Sequence, residues 1–376
     1  MIYVEQLVGM LLDVMIYVEQ LVGMLVMMYV EQRVGMLLDV MIYVELVGML
    51  LVILVAAEIF TNALEHLGEK LKISEGVTGS LFAAVGTAMP ESMVPILAIF
   101  AGTEHVDVNE EIGVGAIIGA PLMLSTLSLC LMGLSVVRRR GFKGELTPEK
   151  TGLARDLNFF LLAFGIAAGA LFIPREPHYF VTLKVPLALT LVLIYFVYVM
   201  LTLRVSAQLV KDGHGTQAHT DMFLCRLGLP DHMLVLLFQI AIGLGLLVAG
   251  AEGFIHNVDQ VARDIGVSAL LLSLLIIPIA TELPEKVNSI LWIRRNKDTL
   301  AFGNITGAMV FQGTILPAIG ILLTPWDLRL EVFTGVLVAF VAALWLRLAV
   351  QVGRLYVWQL AINGSLYAAY LIAVLG

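Results

Sequence analysis

Two short polar stretches interrupt apolar sequence and repeat one another: Gly86-Thr87-Ala88-Met89-Pro90-Glu91 and Ala280-Thr281-Glu282-Leu283-Pro284-Glu285. Each sets a threonine, a proline and a carboxylate where lipid-depth sequence should be featureless. An ionised carboxylate at the centre of a membrane helix costs roughly 2.5–3.5 kcal/mol on insertion scales, so such residues mark ion or proton pathways. Proline removes a backbone donor and clashes with the carbonyl four residues earlier. Pro90 and Pro284 therefore loosen the turns around Gly86 and Thr87 and around Ala280 and Thr281, freeing carbonyls such as those of Ala84 and Pro278. These carbonyls, the hydroxyls of Thr87 and Thr281, and the carboxylates of Glu91 and Glu285 are hard oxygen ligands. Calcium takes about six to eight such oxygens in flexible geometry, and two glutamates balance its double charge.

Four further side chains belong with this set. Asn304 and Gln312 are a little over two helical turns apart and can both face the site, with a buried interhelical hydrogen bond the equal alternative for each. Glu282 adds a third carboxylate close to Glu285. Crowded carboxylates favour keeping a proton on one of them, which suits a proton carrier. A salt bridge from Glu282 to Lys286, four positions on, is an equal alternative. Lys286 is itself a candidate tethered cation.

The elements that carry these residues are set by composition. The 376 residues are 60% hydrophobic and only 14% charged, with a mean hydropathy of +0.95, against about 25% charged residues in soluble domains. Apolar runs of membrane-spanning length recur down the chain without barrel-like alternation, so the expected fold is an all-α polytopic membrane protein. About ten spans are read, near 41–64, 76–100, 111–137, 156–173, 179–203, 232–255, 267–292, 299–323, 330–349 and 355–375. A net charge of −8 with no dense basic patch gives no sign of nucleic-acid binding. Cys130 and Cys225 lack metal-ligand spacing and read as helix packing. The seven histidines are scattered, and no paired nucleophile and base occurs, so no enzyme and no cofactor is expected.

In this ten-span reading sixteen lysines and arginines fall on one side and three, Arg175, Arg263 and Arg329, on the other. The positive-inside rule puts the sixteen in the cytoplasm and both ends of the ten-helix core outside. The acidic stretch from Glu104 to Glu111 is then an outer loop that either concentrates cations or is simply solvated. Residues 41–203 form a first five-helix unit, 204–231 a cytoplasmic connecting loop, and 232–376 a second five-helix unit. Glu58 and Glu91 are spaced like Glu252 and Glu285, which superposes Thr87 on Thr281 and Pro90 on Pro284. Equivalent spans are five apart, an odd number, so the repeats are inverted, a transporter architecture. Residues 1–40 repeat a fourteen-residue block. They read as an extra helix made by tandem duplication or as uncertain sequence, with no function attached.

These residues resemble the calcium/cation antiporter superfamily, and most nearly the sodium/calcium exchanger membrane region. Its two α-repeats carry a G-T-S-x-P-E core followed by a G-N-x-x-G-S-N-x-x-N helix. The second motif is matched by Gly115-Ala116-Ile117-Ile118-Gly119-Ala120 and Gly303-Asn304-Ile305-Thr306-Gly307-Ala308. The resemblance implies a ten-helix, five-plus-five fold, and ion ligands at Thr87, Glu91, Thr281 and Glu285 with carbonyl help at Ala84 and Pro278. It implies antiport of Ca2+ for Na+ or H+ by alternating access across the lipid bilayer. An exchanger for Mg2+, Mn2+ or K+, or a cation channel, is the alternative. The departures are specific: the motif serines are Ala88 and Glu282, and later polar positions are Ala116, Ala120, Pro121, Leu124, Ala308 and Met309. Many oxygens of a sodium site are thus missing, which leaves the coupling ion open. A monomer is compatible with one such site, and the residues fix no oligomeric state.

Overall fold

The computed structural model describes residues 41–376 except 71–88, 102–105, 212–220 and isolated positions elsewhere. The repetitive segment 1–40 lies outside the described residues. Among the described residues, eight helices are long and apolar enough to cross a membrane. The first, α1, is Met41–Phe60. Then come α2 (Met89–Ala101), α3 (Val106–Met123), a π-helical turn (Leu124–Ser128) and α4 (Leu129–Arg140). They are followed by α5 (Lys150–Ala170), α6 (Val185–Lys211) and the short α7 (Phe223–Arg226). The second half runs α8 (Met233–Ile265), α9 (Ala269–Thr281), α10 (Leu283–Arg294) and α11 (Asp298–Gln312). It closes with α12 (Ile315–Leu323), α13 (Leu330–Val352) and α14 (Val357–Leu375). The described strands are one two-residue ladder that pairs Glu145 with Tyr356 and Leu146 with Leu355.

The protein is therefore an all-α polytopic membrane protein. Its outward side chains agree with that. On α6 Leu189, Leu193 and Phe196, spaced along one helical stripe, are each more than 60% exposed. A contiguous exposed apolar belt of this kind needs a lipid or protein cover. The expected spans near 76–100 and 267–292 carry the polar motifs. One is divided into α9 and α10, and of the other α2 is the described part.

Some boundaries differ from expectation. Helix α6 continues through Arg204 to Lys211, into the expected connecting loop, and α8 runs ten residues past 255. Helical hydrogen bonding does not have to stop at the hydrocarbon boundary, because a helix can continue wherever its side chains are polar enough to meet water. The stretch Val106–Glu111 is not a loop but the first turns of α3. Asp107 in that first turn favours the helix through the positive end of its dipole.

The repeated small-residue motif is realised in close packing. A Cβ on Gly115 would fall 1.9 Å from the Ser273 Oγ, and one on Gly119 would fall 2.3 Å from the Leu274 carbonyl and 2.7 Å from the Pro278 ring. Helix α3 therefore lies directly against α9. The corresponding glycine of α11, Gly303, meets no described atom within 4 Å, and Gly307 meets only the Tyr198 hydroxyl at 3.7 Å.

The two halves also break alike. The register that aligns Gly115 with Gly303 aligns Leu122 with Val310 and Thr126 with Thr314. The Thr126 hydroxyl donates to the Leu122 carbonyl, and the Thr314 hydroxyl to the Val310 carbonyl at 2.6 Å. At the first place α3 passes into the π turn; at the second α11 ends and α12 restarts. Hydroxyls that bond back to the preceding turn bend helices. A buried carboxylate, Asp156, ties α5 to its neighbours by accepting from Thr306 at 2.9 Å and from Tyr198 at 3.2 Å.

Candidate functional site

The site is built from the interruption between α9 and α10. Pro284 in the first turn of α10 has no N–H to give, so the helix breaks at Glu282 (φ −91°, ψ 10°). A helix C-terminus and a helix N-terminus thus meet within one turn. The first presents carbonyls and partial negative charge, and the second presents N–H groups and partial positive charge. Cations are favoured against the end of α9, and carboxylates against the start of α10.

The side chains at this break are buried. Thr281, Glu282 and Glu285 are 1%, 0% and 3% exposed, and Lys286 is 8% exposed. The Thr281 hydroxyl donates to the Ile277 carbonyl at 3.0 Å. Neither carboxylate oxygen of Glu282 accepts a close hydrogen bond from the described residues, although Gln312 and Lys286 stand beside it. Its ion-pair partner is Lys286, whose Nζ stands 3.7 Å from Oε2. The same ammonium donates to the Pro278 carbonyl at 2.8 Å. The Pro278 carbonyl thus already accepts from an internal cation.

Helix α11 supplies the other two expected side chains. Asn304 donates through Nδ2 to the Glu285 carbonyl at 3.1 Å and to the Ser289 Oγ at 3.0 Å. This is the interhelical hydrogen bond foreseen as one of its two roles. Gln312, 1% exposed, lies beside Glu282. Thr281, Glu282, Glu285, Pro278, Asn304 and Gln312 thus collect around one break. Ala84 and Thr87 lie outside the described residues, as does the side chain of Glu91, whose backbone is in α2. Among the described residues no group of three or more His, Cys, Asp or Glu side chains could hold a metal ion.

Two features were not anticipated from sequence. Tyr367 of α14 lies near Glu282. The π turn brings in buried Ser125, Thr126 and Ser128, one step beyond the apolar Leu124, and Asn363 donates to the Ser125 carbonyl at 2.7 Å. The run of hydroxyls from Ser125 to Ser128 was the available signal. Near the start of α9 lies a cleft of about 340 Å³, lined by Asp107, Glu110, Glu111, Asp327 and Arg329 among others. Arg329 forms an ion pair with Glu111 there.

A bundle of apolar helices with a broken, carboxylate-bearing helix at its interior defines a multi-pass membrane protein with a polar site inside the bundle. The chain belongs to the sodium/calcium exchanger protein family, whose profile matches residues 41–204 and 235–376. It is 26% identical over 282 residues to the putative antiporter CaxA of Alkalimonas amylolytica, covering 73% of this chain and 78% of that protein. It is 24% identical to the inner membrane protein YrbG of Escherichia coli, over 74% of this chain and 78% of YrbG. Among solved structures, the H+/Ca2+ exchanger CAX superposes with a TM-score of 0.66 at 18% identity, covering 89% of this chain and 82% of that one. The sodium-calcium exchanger NCX_Mj gives 0.54 at 20% identity, with 88% and 98% covered. At those identities the likeness concerns the fold.

Proposed function

We propose that this protein is a secondary active cation antiporter that exchanges Ca2+ for Na+ or H+ by alternating access. The observation that carries the reading is the proline-broken α9–α10 element, with Glu282 and Glu285 buried at the break, in a chain of the sodium/calcium exchanger family. The names of its relatives, a putative antiporter and exchangers of calcium with protons or sodium, support the same class of transport.

In this reading Glu91 and Glu285 provide the charge for a divalent cation. Thr87, Thr281, Glu282, Asn304, Gln312 and the carbonyls of Ala84 and Pro278 complete or shape the oxygen set. The coupling ions compete for overlapping oxygens. An empty site leaves buried carboxylates uncompensated, which disfavours reorientation and makes transport an exchange. Basic loops face the cytoplasm, and both ends of the ten-helix core face outward.

The test is calcium flux in proteoliposomes under imposed sodium or proton gradients, for the wild type, Glu91→Gln and Glu285→Gln. Both variants are expected to lose gradient-driven uptake. Uptake unchanged in both sinks the site assignment, and uptake driven by neither gradient sinks the antiport reading.

A further inference from the structure

The second half-site contains a cation of its own. Lys286 leaves the first turn of α10 and returns across the break, so that its Nζ donates to the carbonyl of Pro278, eight residues back, at 2.8 Å. On a continuous helix those residues would be separated by about 12 Å of rise. The contact exists because the chain is broken between them and because helical side chains lean toward the N-terminus. The ammonium therefore sits where the C-terminal dipole of α9 favours positive charge. It also stands 3.7 Å from Glu282 Oε2, on a carboxylate that is 0% exposed and accepts no close hydrogen bond from the described residues.

A purely structural salt bridge would look different. Buried ion pairs are stabilising when hydrogen bonds satisfy the remaining lone pairs. Here the shorter contact of the ammonium is to a backbone carbonyl, and the Glu282 oxygens, with Gln312 also beside them, accept no close hydrogen bond. A main-chain carbonyl, a carboxylate and a helix C-terminus together form the surroundings a hard monovalent cation takes.

We propose that the Lys286 ammonium is a tethered cation occupying one monovalent position of the transport site, on the Pro278 carbonyl and the Glu282 carboxylate. That position then carries positive charge without drawing an ion from solution, so fewer free monovalent ions participate than the site geometry would otherwise hold. This inference rests on the cation-antiport reading given above.

The test uses the full chain and has two readouts. Purified protein in detergent is melted in sodium, potassium or choline chloride at equal ionic strength, and calcium uptake is measured in proteoliposomes in the same salts. Lys286→Met vacates the position while keeping the length of the stem. It is expected to gain a sodium- or potassium-specific stabilisation of several degrees beyond that of the wild type, with uptake lost in choline and restored by the alkali ion. Lys286→Arg keeps the charge, and its salt response is expected to match the wild type. Equal monovalent responses in Lys286→Met and wild type overturn the proposal. If Lys286→Met does not fold, a sodium response in Lys286→Arg larger than that of the wild type overturns it instead. Should the added stabilisation appear in protein that moves no calcium under any gradient, the tethered cation stands and the transport reading fails.

Discussion

At the residue scale, Glu282 and Lys286 matter because each is buried with the other as its charge partner. Removing one member of such a pair strands a charge in low dielectric and costs about 3–5 kcal/mol, whereas removing both is often nearly neutral. Glu282→Gln is therefore expected to destabilise by several kcal/mol, as Lys286→Met does in the absence of alkali ions. The double variant Glu282→Gln/Lys286→Met should recover most of that loss. Thermal unfolding of the four proteins in choline chloride forms the cycle that checks it. If the two single losses simply add, the ion pair is not coupled. Asn304 is a different case. Its amide spends its donors on the Glu285 carbonyl and the Ser289 Oγ. It fixes α11 against α10 whether or not its oxygen meets an ion.

At the element scale, the site depends on how closely α3 approaches α9. Gly119 faces the Leu274 carbonyl and the Pro278 ring at distances no side chain can occupy. Gly119→Ala must push the broken helix away, and overpacking of this kind costs typically about 1–3 kcal/mol. Because Pro278 carries a site carbonyl, the variant should lower calcium affinity as well as melting temperature; a normal affinity would separate the packing from the site. Glu149, just before α5, accepts from the backbone N–H groups of Thr151 at 2.7 Å and Gly152 at 2.6 Å. Burial raises its pKa, but those hydrogen bonds to the ionised form outweigh that, and the net shift is downward. A lowered folded-state pKa gives stability that is present above the unfolded value, near 4.3, and lost as pH falls through the folded value. Glu149→Ala should thus destabilise by about 1 kcal/mol at pH 7, a gap that closes on acidification below that range. Melting temperatures of both proteins across that range test it. Much of this scale was legible in the sequence, since proline and buried charge are local signals that mark the break at Glu282. The far ends of α6 and α8 were not, because a helix continues into water wherever its polar side chains are solvated. Neither was the π turn at Leu124–Ser128, which contains no proline and meets its partner Asn363 from distant α14. The reach of Lys286 to Pro278 was equally hidden, since it depends on the geometry of the break and not on spacing.

At the scale of the whole molecule, the question is how a dilute cation finds a site enclosed by apolar helices. The acidic cleft formed by Asp107, Glu110, Glu111 and Asp327 lies at the start of α9. Leu270, the second residue of that helix, contributes to its wall. Helix α9 leads from this cleft to the break at Glu282, a distance of about 18 Å at 1.5 Å per residue. The positive-inside reading puts the cleft on the outer face. A concave surface lined mainly by one sign of charge raises the local concentration of counter-ions and speeds their capture. Arg329, ion-paired with Glu111, reduces this field in part. Neutralising three of them, in Asp107→Asn/Glu110→Gln/Asp327→Asn, should raise the apparent KM for external calcium several-fold at low ionic strength. The maximal rate should stay unchanged, because none of these residues touches the break. Screening decides whether the cause is a field or a contact: the Debye length falls from about 30 Å at 0.01 M salt to about 8 Å at 0.15 M. The KM difference between variant and wild type should shrink over that range when calcium uptake is measured in choline chloride. A difference that persists at high salt would mean that calcium binds these carboxylates directly. A difference seen only for calcium offered from the face carrying Arg138, Arg139 and Arg140 would invert the assigned orientation of the protein.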